Sequence, residues 1–419
     1  MPQTDPLPTW TMLPFPLLVL GIAVLPMVLP KWWEHRWFQC LVIALVSVPI
    51  VVVLVTTGRT HELVHTTTDY LAFIATIGAL FVAAGGVYAM GDLEATPATN
   101  VAFLIGGSLL ASAIGTTGAS VLVIRPLLRT NAQRQHTAHL VPFFILAVAN
   151  AGGLLTPLGD PPLLIGFIQG VPFFWTFRLL PVWLLYVGTF AIGLYIADKR
   201  AYAQETVAAL TRDRSEVKRL RVQGSHNLLW LLAIIGAAFL PAGIREVAMI
   251  GIALASYFGT RREVHELNQF SLAPIIEVAL IFFGLFVCLV PIESGLAANA
   301  AILPLHSGWQ LFWVSGALSS LLDNAPTYAA FTSLARGLSV GHTNLVAGVL
   351  PMKLAAVSIG SVVMGATTYI GNGPNLIMKS IAEKAGYVLP SFARFAFFAF
   401  FVMLPAHVII TGVLAFLDR

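Results

Sequence analysis

Two aspartates, Asp160 and Asp323, stand inside long apolar stretches, each followed closely by proline and each near amide or hydroxyl residues in the sequence. Asp160 closes the run Asn150-Ala-Gly-Gly-Leu-Leu-Thr156-Pro-Leu-Gly-Asp160, and Pro161-Pro162 follow it. A second run, Gly365 to Asn375, carries Thr367, Thr368, Asn372 and Asn375. Thr116 and Thr117 sit at an interruption between Gly115 and Gly118, and Asp323, Asn324 and Thr327 sit at another. All offer oxygen, the donor that hard cations prefer, and the set holds no thiol or imidazole, which argues against a transition-metal centre. A carboxylate in the hydrocarbon core costs several kcal/mol unless it is paired or hydrated. Its functional reading is a group that binds an alkali cation (Na⁺) or a proton, because desolvation favours the neutral acid. Its structural reading is a helix N-cap, since both aspartates precede a proline-containing helix start. Lys353, within an apolar stretch, is the candidate counter-ion of Asp323.

Other motifs carry less. His61-Glu62-Leu63-Val64-His65 matches the zinc-protease pattern, which needs two histidines one helical turn apart and a glutamate base. It falls just before an apolar run and has no third ligand in view, so an intramembrane zinc protease is a remote alternative. The glycine pairs Gly85-Gly86, Gly106-Gly107 and Gly152-Gly153 lack the strand–loop–helix setting of a phosphate loop and read as close helix packing. Cys40 and Cys288 lie far apart in apolar runs and outline no disulfide framework. No enzyme activity and no cofactor are expected beyond transported ions.

The elements that must position the polar runs are membrane helices. The 419 residues are 58% hydrophobic and only 10% charged, against about 25% charged in a soluble domain. Apolar runs of about 20 residues, enough to cross a bilayer, recur at 13–30, 38–56, 68–90, 139–170, 175–197, 226–241, 243–259, 273–290, 343–385 and 391–416. The stretches 98–130 and 307–337 read as helical hairpins that re-enter the membrane, where exposed backbone survives only if it lines a polar cavity. Helix cannot run through Pro161-Pro162, so the fourth long run must unwind, and the Gly365–Asn375 run must do the same. Gly153, Thr156, Gly159, Asp160 and Pro162 fall 212 positions before Gly365, Thr368, Gly371, Asn372 and Pro374. The expected fold class is therefore an all-α polytopic membrane protein of two five-span repeats, each with a hairpin and a broken helix. Residues 1–197 and 226–419 form the repeats, and 198–225 links them.

Charge sets the orientation. An odd span number per repeat inverts the second copy, and the seven Lys/Arg of 198–225 place that linker in the cytoplasm by the positive-inside rule. Of the 23 Lys and Arg, all but Arg59, Arg178, Arg245, Arg336, Arg419 and Lys353 then fall on the cytoplasmic side. Both termini are expected outside the cytoplasm, and the first apolar run reads as a retained span in a plasma-type (inner) membrane. The cations serve topology, so no nucleic-acid partner is expected; the lipid bilayer and a small ion are.

With Asn150-Ala-Gly-Gly and Pro157-Leu-Gly-Asp160 in one half and Asp323-Asn324-Ala-Pro326 in the other, the chain resembles the NhaD-type sodium/proton antiporters. Their relatives in the ion transporter superfamily are the citrate and dicarboxylate carriers, the arsenite and silicon effluxers and the melanosomal P protein. The resemblance implies a homodimer of scaffold and moving transport domains that works as an elevator. It carries ion binding to Asn150, Thr156 and Asp160, and to Asp323, Asn324, Thr327, Thr368 and Asn372. The carboxylate carriers' Ser-Asn-Thr hairpin tips are replaced here by Thr116-Thr117-Gly118 and Asp323-Asn324-Ala325. The expected function is Na⁺(Li⁺)/H⁺ antiport. The alternative is a citrate-like organic-anion or arsenite-like oxyacid carrier of the same superfamily.

Overall fold

Prolines and glycines cut the apolar sequence into helices of unequal length. The computed structural model describes residues 7–418; Arg419 and the first six residues lie outside the described residues, and with them the expected position of both extreme termini. The first half runs α1 (Pro14–Val28), α2 (Pro30–Trp33), α3 (Arg36–Thr56), α4 (Thr60–Gly85), β1 (Tyr88–Asp92), α5 (Pro97–Ile114), α6 (Thr116–Thr130), α7 (Leu140–Ala147), α8 (Pro161–Ile168) and α9 (Leu180–Tyr202). Between the halves lie α10 (Val207–Glu216) and β2 (Lys218–Gln223). The second half runs α11 (Asn227–Ala237), α12 (Ile244–Gly259), α13 (Arg262–Leu267), α14 (Ala273–Ala298), α15 (Gly308–Ser319), α16 (Asn324–Gly337), α17 (Pro351–Met364), α18 (Gly373–Lys384) and α19 (Phe392–Leu417).

Among the described residues, seven helices are long and apolar enough to cross a membrane: α3, α4, α5, α14 and α19, and α1 and α9 with their leading turns. Large apolar side chains such as Leu45 on α3, Ile192 on α9 and Phe397 on α19 stand exposed on their outer faces, as a hydrocarbon solvent allows. The chain is an all-α polytopic membrane protein, with a single two-stranded ribbon as its sheet among the described residues.

Several expected boundaries move. The third span begins at Thr60 and stops at Gly85, so the His61–His65 motif lies inside α4 rather than ahead of it. The run 343–385 becomes a loop, α17 and α18, because Pro351 starts α17 and the α-helical hydrogen bonding is interrupted over Gly365–Asn372. The interruption at Gly115 is a single residue at φ +88°, a conformation that glycine adopts without strain, and α5 has span length by itself.

Both broken helices are present and match in detail. After α7 a 3₁₀ turn (Ala151–Leu155) leads to extended Thr156, at φ −137° and ψ 157°. After α17 a 3₁₀ turn (Gly365–Thr367) leads to extended Thr368, at φ −132° and ψ 165°. Pro161 and Pro162 open α8, where their missing N–H groups are not needed. A Cβ on Gly159 would stand 2.2 Å from the Gly153 carbonyl oxygen, and one on Gly371 would stand 2.6 Å from that of Gly365. Glycine lets the chain fold back on itself at both breaks.

The segment between the halves is anchored. Its alternating residues Lys218 to Gln223 suit a strand, and β2 pairs antiparallel with β1, Tyr88 opposite Gln223 and Met90 opposite Arg221. Asp213 on α10 accepts the Ala95 N–H at 2.9 Å. The start of α5 is thereby tied to the linker.

Candidate functional site

Asp160 immediately precedes α8 in extended conformation and is buried to 2% exposure. Its side chain does not cap that helix. Its carboxylate is instead held by three other elements. Thr116 Oγ1, at the α5–α6 tip, donates to Oδ1 at 2.7 Å. Asn372 Nδ2, at the second break, donates to Oδ1 at 3.4 Å. Asn324 Nδ2, at the α15–α16 tip, donates to Oδ2 at 2.5 Å. The two breaks and two hairpin tips thus converge on one carboxylate. No Lys, Arg or His among the described residues pairs with it, and Asn324 Oδ1 is buried without a partner.

Behind Asp160 the breaks lock together through amides. Asn150 Nδ2 donates to Ile145 O (2.9 Å) and Asn375 Oδ1 (2.8 Å). Asn150 Oδ1 accepts from Asn372 Nδ2 at 3.1 Å, and Asn375 Nδ2 reaches the carbonyls of Gly365 and Thr368, each at 2.9 Å. Thr156 and Thr368 play equivalent parts: their hydroxyls donate at 2.5 Å to Ser112 O and Ser320 O, at the ends of α5 and α15. Ser112 and Ser320, which sequence reasoning missed, donate back to Gly152 O and Met364 O. Their acceptors Gly152 and Met364 keep the 212-residue offset, but the serines themselves fall 208 positions apart, so the repeat alone does not find them.

Other candidates stand differently. Asp323 is half-buried at the start of α16; it lies beside the N–H groups of Asn324 and Ala325 without a full capping bond, and while its neighbour Asn324 hydrogen-bonds Asp160, Asp323 itself stands within electrostatic reach of that carboxylate. Thr327 Oγ1 donates to Asp323 O at 3.0 Å, stiffening the first turn of α16. Thr117 lines the cavity beside Asp160, whereas half-buried Thr367 makes no side-chain hydrogen bond to the cluster. Lys353 is not the counter-ion of Asp323. It sits in the first turn of α17, and its Nζ donates to His306 O at 2.7 Å with Asp418 as its nearby charge. The long apolar run hid a helix start at Pro351 and so misplaced the lysine in depth.

The zinc-protease pattern does not assemble. Glu62 is held by Arg59 at 3.2 Å, His61 is exposed, and His65 turns to Asp69 at 3.3 Å. Among the described residues no group of three His, Cys, Asp or Glu is placed to hold a metal.

Three adjoining cavities lead to the site. One of about 110 Å³ has Thr116, Thr117 and Asp160 in its wall. It shares Phe81, Thr117 and Gly118 with a second of about 180 Å³. That one shares Arg125, Gln269 and Ile381 with a vestibule of about 1060 Å³. The vestibule wall carries Arg125, Arg129, Arg134 and Lys384 and no carboxylate. Residues 4–416 match the family model CitMHS_2, whose description reads "Putative citrate transport". No curated protein matches the chain.

Proposed function

The chain belongs to the CitMHS_2 family and is a secondary transporter, and on that premise we propose that it exchanges Na⁺ (or Li⁺) for protons at Asp160 by elevator-type alternating access. The observation that carries this reading is the Asp160 carboxylate, withdrawn from water, ringed by neutral donors and left without a cation. A buried charge in that state is stabilised by either a proton or a metal ion. The idle Asn324 Oδ1 beside it supplies a second oxygen, and the Thr116 hydroxyl can turn from donor to ligand. Proton and cation then exclude each other on one carboxylate, and that competition couples their opposite flows. The convergence of both breaks and both tips supports a unit that moves as one body, and the matched breaks support an inverted repeat. In this arrangement the site opens toward the cationic vestibule, which the positive-inside rule puts in the cytoplasm. A homodimer in a plasma-type membrane completes the proposal.

The adjoining cavity also bears on the cargo. Small-molecule sites occupy about 300–1000 Å³, whereas about 110 Å³ adjoins Asp160, and an organic anion there would meet a carboxylate. A second reading, transport of a citrate-like anion, has two supports: the family description and the vestibule, where Arg125, Arg129 and Lys384 form no ion pair among the described residues. Purified protein in proteoliposomes under a proton gradient tests both, with Na⁺, Li⁺, K⁺ and citrate compared side by side. Sodium-driven proton release is expected. Proton-coupled citrate uptake with no response to sodium replaces the first reading by the second.

A further inference from the structure

At the opposite end of α8 lies a separate cavity of about 420 Å³, walled by His65, Asp69, Gln169, Glu293 and Arg336 among others. It shares no lining residue with the cavity at Asp160. The eight residues of α8, about 12 Å of helix at about 1.5 Å per residue, stand between them. The two carboxylates of this cavity differ in their partners. Asp69 on α4 is engaged by His65 Nδ1 at 3.3 Å. Among the described residues Glu293 on α14 forms no ion pair, and its Oε1 accepts from the neutral amide of Gln169 alone, at 3.0 Å. Arg336 on α16 lies within electrostatic reach of Glu293, as do Asp69 and His65, but its Nε is spent on Ala347 O at 3.3 Å. The other end of the same amide, Gln169 Oε1, is buried and idle.

An amide and a carboxylic acid pair through two hydrogen bonds, N–H to the carbonyl oxygen and O–H to the amide oxygen. With Glu293 ionised only the first exists, and the amide oxygen is left orphaned, as it stands here. We propose that this cavity is a second proton-binding site, in which the Glu293 carboxylate takes a proton from hydronium on that side, releases water, and donates the new O–H to Gln169 Oε1. The Arg336 charge opposes this uptake and the Asp69 charge favours it, with His65 the remaining titratable group in the wall. Its role rests on the proton-coupled reading above: it keeps a proton at the mouth opposite the vestibule, where Asp160 must exchange one. His65, the last residue of the zinc-protease pattern, thereby acquires a place in the wall of an ion path.

Infrared difference spectra of the purified protein between acidic and alkaline buffer read the site directly. In the Asp160→Asn background, which removes the other proton-binding carboxyl, a carbonyl band of a protonated carboxyl is expected and is lost when Glu293→Gln is added; with Gln169→Leu instead, which removes the N–H that stabilises the ionised carboxylate, it moves to a higher pH. In single-orientation proteoliposomes, Glu293→Gln is expected to lose the dependence of exchange on the pH of the cavity-side compartment. A band of Asp160→Asn that persists unchanged when Glu293→Gln is added overturns the inference, as does a cavity-side pH profile of Glu293→Gln equal to wild type. If the wild type exchanges no Na⁺ for protons yet Asp160→Asn loses the band when Glu293→Gln is added, the exchange reading fails and the proton site stands.

Discussion

Replacing Asp160 by Asn deletes one charge and almost no volume, which makes it the sharpest test of the site. A monovalent cation about 3 Å from a carboxylate, at an effective dielectric constant of about 20, gains about 5.5 kcal/mol. At about 1.4 kcal/mol per decade this corresponds to roughly four orders of magnitude in affinity. The fold responds far less. The carboxylate accepts from Thr116, Asn324 and Asn372, and bonds to a charged group contribute about 1.5–3 kcal/mol each. Their weakening is offset by removal of a buried charge that itself costs several kcal/mol. The Thr116 hydroxyl can reverse its role and the Asn324 amide can flip toward its idle oxygen, so the new side chain finds partners. Thermal unfolding of Asp160→Asn is therefore expected within a few degrees of wild type, while sodium-driven proton release, followed with a pH dye in proteoliposomes, disappears. Exchange by this variant at near-native rate and millimolar sodium would refute the assignment of Asp160 as the shared carboxylate.

Further outcomes follow from the same geometry. Asn324→Ala removes both a donor and the idle oxygen beside Asp160, so it should raise the sodium concentration for half-maximal exchange more than Thr116→Val does, by roughly tenfold or more for a loss of about 1.5 kcal/mol or more; equal effects would remove the oxygen from the ligand set. Gly159→Ala places a methyl against the Gly153 carbonyl and is expected to destabilise the protein by about 1–3 kcal/mol, read as a lower unfolding temperature. Lys353→Ala is expected to leave the pH profile of exchange unchanged, because its Nζ serves His306 O rather than Asp323; a shifted profile contradicts that placement. Glu205, in the loop after α9, is pushed up by burial, but the N–H groups of Gln135 and His136 and the Arg134 charge outweigh this and hold it below the usual value. A depressed acid stabilises the fold above its unfolded value of about 4.3 and loses that contribution as pH falls through the folded value. Glu205→Gln should therefore lower the unfolding temperature near neutral pH, with the difference from wild type closing below about pH 4.

Membrane character, the two unwound segments and their equivalence were legible in the residues themselves. Hydropathy follows from composition, Pro161-Pro162 forbids continuous helix, and the 212-residue offset aligns Gly153 and Gly159 with Gly365 and Gly371, whose close carbonyl contacts both halves repeat. These features are local or periodic, so a linear reading reaches them. Tertiary structure alone decided which polar groups meet. Asp160 and Asp323 look alike as apolar-embedded carboxylates before proline, yet one is ringed by donors from three other elements and the other lies half-buried at a helix start. Thr156 and Thr368 read as ligands but spend their hydroxyls on the hairpins, because a donor goes to the nearest unpaired carbonyl once the chain has folded back. Lys353 moved from mid-span to a helix start, and Glu293 and Gln169, plain in sequence, came to share a cavity with His65. Hydrogen-bond direction, depth and the meeting of distant segments depend on packing in three dimensions, which residue type and spacing along the chain do not encode.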